Sequence, residues 1–278
     1  MFNIKFFYIL LISIFCISCS KEAVQQSKIS KKSIELQMIE IYNEGLKELE
    51  RGDALYAAKK FNEAEILFPQ SDFAPKASLM AAYAYYSQDY YGDAIAELER
   101  YIRIYSNYPN LDYAEYLLGL CYYEQIIDEK KDLEKIINSK KAFIKVIKKY
   151  PNTDFAIDAK FKVDLINDIL AAKEMYIGRY YFDKKKWIAA INRFRVVTDT
   201  YDTTIYVEEA LHRLVEIYYI IGLETEATKY ANLLGYNYQS SEWYKKSYTI
   251  LEERKKINTI KKNKTFLKKF KSLFEWDG

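Results

Sequence analysis

Histidine, cysteine, glycine and proline are all scarce in this chain of 278 residues. The single histidine, His212, nearly excludes histidine-based metal sites, HExxH zinc chemistry and a His–Ser or Cys–His catalytic pair. We expect it on a helix flank. The eight glycines form neither GxGxxG nor GxxxxGKS/T, so the common phosphate-binding loops are excluded. The sequence therefore predicts a protein that is not an enzyme and has neither a cofactor nor a metal ion.

The shortage of turn-forming residues also restricts the fold. Eight glycines and four prolines are too few for the turns of a β-sandwich or barrel, and they are typical of helices joined by short corners. Half of the residues are hydrophobic, which is enough to bury a large core. The predicted class is all-α. The net charge of +3 predicts no binding to nucleic acid.

Only one basic residue occurs in the first 20 positions, MFNIKFFYILLISIFCISCS, and an apolar run extends from Phe6 to Phe15. A helix needs about 20 residues to span a bilayer, so this shorter run predicts a secretory signal rather than a permanent transmembrane anchor. The sequence from Cys16 to Cys19 resembles the lipobox of bacterial lipoproteins, although Cys16 stands where leucine is usual.

The lipobox resemblance implies a signal peptide over residues 1–18, an acyl group such as palmitate on Cys19, and a flexible lipidated tether over residues 19–32. Ser20 is not acidic, and the same resemblance then implies the outer membrane, with the chain facing the periplasm. Once Cys16 is removed and Cys19 is acylated, Cys121 is alone and no intramolecular disulfide is possible. We expect Cys121 to be a small buried residue.

Beyond the tether, an apolar period of 3.6 residues is punctuated by five similar corners. They are LFPQSDFAPKA (67–77), NYPNLDYAEYL (107–117), KYPNTDFAIDA (149–159), TYDTTIYVEEA (200–210) and NYQSSEWYKKS (237–247). At the second corner, Pro109 predicts that one helix closes near Asn107 and that Asn110 or Asp112 caps the next. Corners 37 to 51 residues apart, counted between their aromatic residues, indicate helix-pair repeats.

Small and large residues inside the repeats follow the tetratricopeptide spacing, in which small side chains let two helices approach. The matching positions are Gly45, Ala57, Phe61, Ala64 and Pro69; Tyr85, Ala94, Leu98 and Tyr101; Ala142, Val146 and Tyr150; Ala189, Phe194 and Val197; and Ala227 and Leu234. The sequence predicts an α-solenoid of five helix pairs over residues 33–251. The charged segment 128–140 extends the third pair, and a long helix from about Asp154 to Phe182 extends the fourth.

Repeat arrays of this kind bind extended peptides or other proteins on one concave face. Tyrosine suits such a face because it combines an apolar ring with a hydrogen-bonding hydroxyl. The candidate peptide-binding residues are Tyr83, Tyr86, Tyr90, Tyr116 and Tyr123. Packing between helices is the alternative for each of them.

The basic extension over residues 252–278 holds nine basic and four acidic residues, a local charge of +5. Its apolar residues, at near-helical spacing, are Phe266, Leu267, Phe270, Leu273, Phe274 and Trp276. The pattern is typical of an amphipathic helix on an anionic membrane or in an acidic groove. A solvated tail is the alternative, because short helices are marginal in water.

The chain as a whole resembles the BamD family, lipoproteins of the bacterial β-barrel assembly machine with five tetratricopeptide-like repeats. The resemblance is carried by ERYIRIYSNYPNLDYAEYLLGL (99–120), KVIKKYPNTDFAIDAKFKV (145–163), MYIGRYYFDKKKWIAAINRF (175–194) and GYNYQSSEWYKKSYTIL (235–251). It covers nearly the whole chain. This sequence departs from the family pattern at the insertion over 128–140, at Asp202 in place of proline, and at the basic extension.

The resemblance implies a non-catalytic subunit that binds a BamA-like barrel protein and nascent outer-membrane proteins. In that family, an arginine in a W-x-A-x-x-N-R stretch pairs with a POTRA domain of BamA, and Trp187, Asn192 and Arg193 hold those places here. The alternative for Arg193 is an ion pair within the chain, with an acid such as Asp199. Two other functions stay open: a repeat scaffold of another envelope or secretion complex, and an envelope hydrolase built on carboxylates such as Glu208 and Glu209.

Overall fold

The computed structural model describes residues 21–127, 133–253, 260 and 263–265, with side chains from residue 33 onward. Every regular element in these residues is a helix, which confirms the all-α class. The helices are α1 Lys21–Glu50, α2 Ala54–Leu67, α3 Ala74–Ser87, α4 Tyr91–Ile104, α5 Leu111–Tyr123, α6 Leu133–Lys149, α7 Asp154–Asp183, α8 Trp187–Thr200, α9 Val207–Ile220 and α10 Glu224–Asn237, followed by α11 over 242–253. Cys16, Cys19 and most of the basic extension lie outside the described residues.

The chain divides into two compact units. The amino-terminal unit comprises Met1–Ile126 and Glu134–Ala159, and the carboxy-terminal unit comprises Ile127–Leu133 and Lys160–Gly278. Within each unit, consecutive helices pack against one another, as expected of an α-solenoid built from helix pairs. The first unit contains the pairs α1/α2, α3/α4 and α5/α6, and the second contains α8 with the greater part of α7, then α9/α10 and α11.

Close contacts between glycine and phenylalanine hold three of the pairs together. A Cβ atom built on Gly45, Gly119 or Gly178 would lie 2.8, 2.7 or 2.6 Å from a ring carbon of Phe61, Phe143 or Phe194, respectively. Only glycine therefore fits under the ring without displacement of the partner helix. In the α3/α4 pair, Ala82 and Leu98 stand in place of the glycine and the phenylalanine, and both are fully buried. The predicted tetratricopeptide spacing is thus confirmed for the first pair, where Phe61 and Ala64 are also fully buried.

Two of the predicted small positions are wrong by a few residues. Ala142 and Ala189 are only half-buried, whereas Ser139 and Ala190 are fully buried. Ser139 occupies the small-residue position in the third pair because its Oγ donates a hydrogen bond of 3.0 Å to the carbonyl of Gly119. This bond satisfies a hydroxyl that would otherwise be costly to bury.

The helix ends follow the sequence only in part. The corner before Pro109 begins earlier than predicted, since α4 ends at Ile104 rather than near Asn107. Asn110 is the N-cap of α5, but its side chain makes no capping hydrogen bond. The predicted long helix is confirmed as α7, Asp154–Asp183.

The backbone of α1 is helical from Lys21, where the sequence favoured a flexible tether. Residues 21–32 contain no glycine or proline, and their lysine, glutamine, glutamate and alanine residues are strong helix formers. Polarity without an apolar period therefore did not imply irregular structure here. None of the helices in the described residues is long and apolar enough to cross a membrane.

Candidate protein-binding surfaces

A groove of about 520 Å³ lies on the amino-terminal unit, along the first helices of consecutive pairs. Its lining, called the tyrosine groove below, comprises Tyr42 of α1, Lys76, Leu79, Met80 and Tyr83 of α3, and Asn110 and Tyr113 at the start of α5. The α3 residues are spaced by three and four positions, so they share one helical face. Three helices therefore present aromatic and aliphatic side chains to a common space.

Neighbouring aromatic rings hold two of the groove tyrosines in place. The ring of Tyr42 contacts Phe61 with a centroid separation of 5.2 Å and Phe73 with one of 6.3 Å. The ring of Tyr113 contacts Phe155 at 5.4 Å. Tilted aromatic pairs of this kind are favourable and restrict ring motion. The groove is thus largely formed before anything binds.

The hydroxyls of Tyr42 and Tyr113 remain protonated at neutral pH. Burial raises the pKa of Tyr113 to about 12, and burial also raises the pKa of Tyr42. Lys76 brings a positive charge, and its Nζ lies 5.1 Å from the ring centroid of Phe73. Within the described residues, no carboxylate lies within the 4.0 Å of an ion pair with it. The groove therefore offers apolar contact, neutral hydroxyls and one cation, which suit an extended peptide with an aromatic or aliphatic side chain.

One of the five predicted face residues, Tyr83, lines this groove. The ring of Tyr86 packs on Tyr91 and the ring of Tyr123 on Phe143. Tyr116 donates a hydrogen bond of 2.5 Å to Asp158, and its tilted ring lies 5.2 Å from that of Phe155. Tyr90 is exposed at the N-cap of α4.

Sequence reasoning missed the other groove residues, which are Tyr42, Lys76, Leu79, Met80, Asn110 and Tyr113. The spacing of Lys76, Met80 and Tyr83 along α3 was the available signal. The spacing along α3 does not identify the other helices that line the groove.

The segment that contains Trp187, Asn192 and Arg193 forms α8 in the carboxy-terminal unit. Trp187 is half-buried, with its ring 5.5 Å from that of Phe182, and Asn192 is exposed. Arg193 retains 42% side-chain exposure and pairs through Nη1 with Oε2 of Glu174 at 3.1 Å. Only Asn192 and Arg193 are therefore available to a partner to any large extent.

The acid that pairs with Arg193 is not the one the sequence suggested. Asp199 instead lies 3.5 Å from Arg195, one turn away on the same helix. Glu174 belongs to α7, so the Arg193 pair joins two helices. Sequence proximity favoured Asp199, but helix packing determined the pair.

His212 is buried, with 3% exposure, and the expectation of a helix flank is wrong. Helix α11 covers it: its Nδ1 shares a hydrogen bond of 2.8 Å with Oγ of Ser247, and its ring lies 5.1 Å from that of Trp243. Its Nε2 is 3.5 Å from Glu216. The structure thus forms the His–Ser pair that the sequence nearly excluded. Ser247 has no solvent exposure, so the pair joins α9 to α11 and is closed to a substrate.

Metal binding finds no support in the part of the chain that is described. No group of three or more histidine, cysteine, aspartate or glutamate side chains there is arranged to hold an ion. Cys121 is a buried free thiol, as expected. The candidate sites that remain are the tyrosine groove and the exposed side chains of α8.

Helix pairs closed by small residues, with a preformed groove along their first helices, define a tetratricopeptide-like repeat protein. Residues 34–233 match the family model YfiO, described as an outer membrane lipoprotein. The outer membrane protein assembly factor BamD of Rickettsia prowazekii (strain Madrid E) is 41% identical over 227 residues, which is 82% of this chain and 90% of that protein. BamD of Caulobacter vibrioides is 40% identical over 213 residues, 77% of this chain and 70% of that protein. The chain belongs to the BamD family of outer membrane protein assembly factors.

Among solved structures, the TPR2AB-domain:pHSP90 complex of yeast Sti1 aligns with a TM-score of 0.41 at 15% identity. The alignment covers 80% of this chain and 86% of that one.

Proposed function

We propose that this chain is a non-catalytic subunit of the machinery that folds and inserts β-barrel proteins into the outer membrane. An acyl group on Cys19 anchors it to that membrane, facing the periplasm. Membership of the BamD family supports the process, and the lipobox-like sequence supports the anchor. The chain acts by binding rather than by chemistry, in keeping with the closed environment of Ser247.

The tyrosine groove is the observation that carries this function. It holds extended segments of nascent outer-membrane proteins, with apolar side chains against Met80 and Tyr83 and peptide carbonyls or carboxylates near Lys76 and the tyrosine hydroxyls. Unfolded barrel strands alternate apolar and polar side chains. A groove with an apolar floor and a few polar groups suits such a strand without strict sequence specificity.

Arg193 contributes the contact with the BamA-like subunit, through a carboxylate of a POTRA domain. Its guanidinium is partly exposed and held by one nitrogen to Glu174. A guanidinium presents five donors, so a second carboxylate can bind without loss of the first pair. Lysine cannot reproduce this planar, two-point arrangement.

The groove is tested by binding of an unfolded outer-membrane barrel polypeptide, fluorescently labelled, to the full chain. Met80→Ala combined with Tyr83→Ala should weaken binding at least about tenfold, since each lost apolar contact costs about 1 kcal/mol or more. Tyr90→Ala is the matched control for the tyrosine change, because Tyr90, 42% exposed against 37% for Tyr83, lies outside the groove. Equal losses in both variants would place the binding site elsewhere.

The partner is tested by co-purification from membranes in mild detergent. The wild-type chain should retain a BamA-like barrel protein, Arg193→Glu should lose it, and Arg195→Glu, on an exposed neighbour in the same helix, should retain it. Retention by the Arg193→Glu variant would reject the assigned contact. Recovery of a different envelope complex in place of the barrel protein would reject the proposed function.

A further inference from the structure

Helix α6 carries far more positive charge than the second helix of any other pair in the described part of the chain. It holds six lysines and one acidic residue, Glu134, a net charge of +5. The second helices of the other pairs are nearly neutral, with a charge of 0 for α2, −1 for α4, +1 for α8 and −1 for α10. Packing within a helix pair therefore does not require this charge.

Three of these lysines, Lys141, Lys145 and Lys148, form one row along α6, called the lysine row below. They are four and three residues apart, so their side chains lie on the same helical face. All three are exposed to solvent. A helix rises about 10 Å over these seven residues, which sets the length of the row.

A buried acid pairs with only part of this charge. Nζ of Lys145 and Nζ of Lys149 each lie 3.1 Å from Oε1 of Glu115, whose side chain is almost fully buried. Two cations therefore share one carboxylate. Within the described residues, neither Lys141 nor Lys148 forms an ion pair. Both side chains are thus available to a carboxylate from outside the chain.

Other acids near α6 do not cancel the excess charge. Asp112 lies in the first turn of α5 and Asp154 in the first turn of α7, both near the carboxyl end of α6. With Glu115 they supply three negative charges against the five lysines in the carboxyl half of α6. Glu134 and Lys135 cancel at its amino end. A local charge of +2 is left.

The apolar side chains beside the lysine row form only a narrow strip. Ile137, one turn before Lys141, is 38% exposed, and Ile144 is half-buried between the lysines. A helix that lies on a membrane exposes a broad apolar face, which this surface lacks. A narrow apolar strip flanked by charges is instead typical of a helix that pairs with another helix.

From these features we infer that the lysine row binds an acidic helix of a partner protein. Carboxylates spaced by four and three residues on that helix match the row, so each lysine meets one of them. An extended strand places side chains of one face about 7 Å apart, so it would meet only two of the three lysines. The row is separate from the tyrosine groove, to which α6 contributes no residue. It therefore adds a second binding surface to the amino-terminal unit.

The inference is tested by photocrosslinking in the membranes of cells that make the full chain, with a benzophenone amino acid in place of Ile137. The matched control carries it in place of Gly92 of α4, because Gly92 is also exposed and has open space around it. Each position lies thirteen residues before the tyrosine that follows its helix, Tyr150 or Tyr105. Mass spectrometry then identifies the crosslinked segment.

We expect a crosslink at position 137 to a segment whose acidic residues recur every three or four positions, and none to that segment at position 92. A crosslink at 137 to lipid, or to a segment without this acidic spacing, overturns the inference. So does the absence of any crosslink at 137, or equal capture of the same segment at both positions.

Charge reversal supplies the second arm of the test. Lys141→Glu combined with Lys148→Glu should lower the crosslink yield at position 137 by about tenfold, because two attractive pairs become repulsive. Lys141→Arg combined with Lys148→Arg keeps the charge and should retain the crosslink. Lys59→Glu combined with Lys229→Glu, on α2 and α10, makes the same change in net charge elsewhere and should also retain it. An unchanged yield after reversal of the row, or an equal loss in the α2 and α10 control, overturns the inference.

Discussion

The guanidinium of Arg100 and the carboxylate of Glu65 form two hydrogen bonds, of 2.8 and 2.6 Å, between α4 and α2. The same carboxylate accepts a bond of 2.6 Å from the hydroxyl of Tyr105, and Arg100 also donates to Ser78. Glu65 is almost fully buried. The first two helix pairs are thus joined by a polar network as well as by apolar packing, and its geometry is satisfied on both sides.

We predict that Glu65→Ala lowers the free energy of unfolding by about 3 kcal/mol, since it leaves the Tyr105 hydroxyl unpaired and removes two hydrogen bonds of the Arg100 guanidinium, which keeps those to Glu97 and Ser78. Partial exposure of Arg100 keeps the loss at the low end for a broken buried pair. Urea denaturation of the Glu65→Ala variant and of the wild-type chain measures this loss. Arg51→Ala, which breaks an exposed pair with Glu48, should cost less than about 1 kcal/mol. Similar losses in the two variants would show that the network contributes no more than a surface pair.

Gly178→Ala should destabilise the carboxy-terminal unit by about 1–3 kcal/mol, because the new Cβ would meet the Phe194 ring at 2.6 Å. Combining Gly178→Ala with Phe194→Leu should recover part of the lost stability, because leucine is smaller than phenylalanine. The α3/α4 pair already has an alanine and a leucine, Ala82 and Leu98, at the equivalent positions. Gly92→Ala is the control, since a Cβ there meets no atom within 4 Å. Additive losses in the double variant would reject steric contact as the cause.

Gly45, Phe61 and Phe194 could be predicted from the sequence because the tetratricopeptide pattern places small and large residues at set positions of a helix pair. Gly119, Phe143 and Gly178 were not predicted, although they make the same close contacts. That reasoning failed at Ser139, because the hydrogen bond from its hydroxyl to the carbonyl of Gly119 makes a polar residue acceptable at a buried small-residue position. The tyrosine groove and the burial of His212 depend on helices far apart in sequence, such as α11 over α9. Periodicity identifies the buried face of a helix, but it does not identify the neighbour that covers it.

Cys121 should be inert towards thiol reagents in the folded protein. Burial raises the pKa of its thiol from the ordinary 9.0 to about 12, so the reactive thiolate is almost absent at neutral pH. A maleimide should label it only after unfolding, at a rate limited by opening of the helix pair. The raised pKa also means that the folded state holds its proton while the unfolded state loses it, so stability falls as pH rises from about 9 to 12. Cys121→Ala should remove this thiol's share of that fall, and rapid labelling of the native chain would contradict the buried assignment.

Ser247→Ala should loosen α11 from the carboxy-terminal unit. It removes the partner of His212 Nδ1, and an unpaired buried polar group costs about 1–3 kcal/mol. The higher helix propensity of alanine offsets roughly 0.5 kcal/mol of this loss. Hydrogen exchange of the α11 amides should accelerate accordingly, while exchange in the amino-terminal unit stays unchanged.

The control for that experiment is Ser87→Ala, which gains the same propensity. The hydroxyl of Ser87 lies at an exposed helix end and donates only to the carbonyl of Ala84. Its substitution should change stability by less than about 0.5 kcal/mol. If Ser247→Ala leaves the exchange of α11 unchanged, packing of Trp243 against His212 rather than the hydrogen bond holds this helix in place.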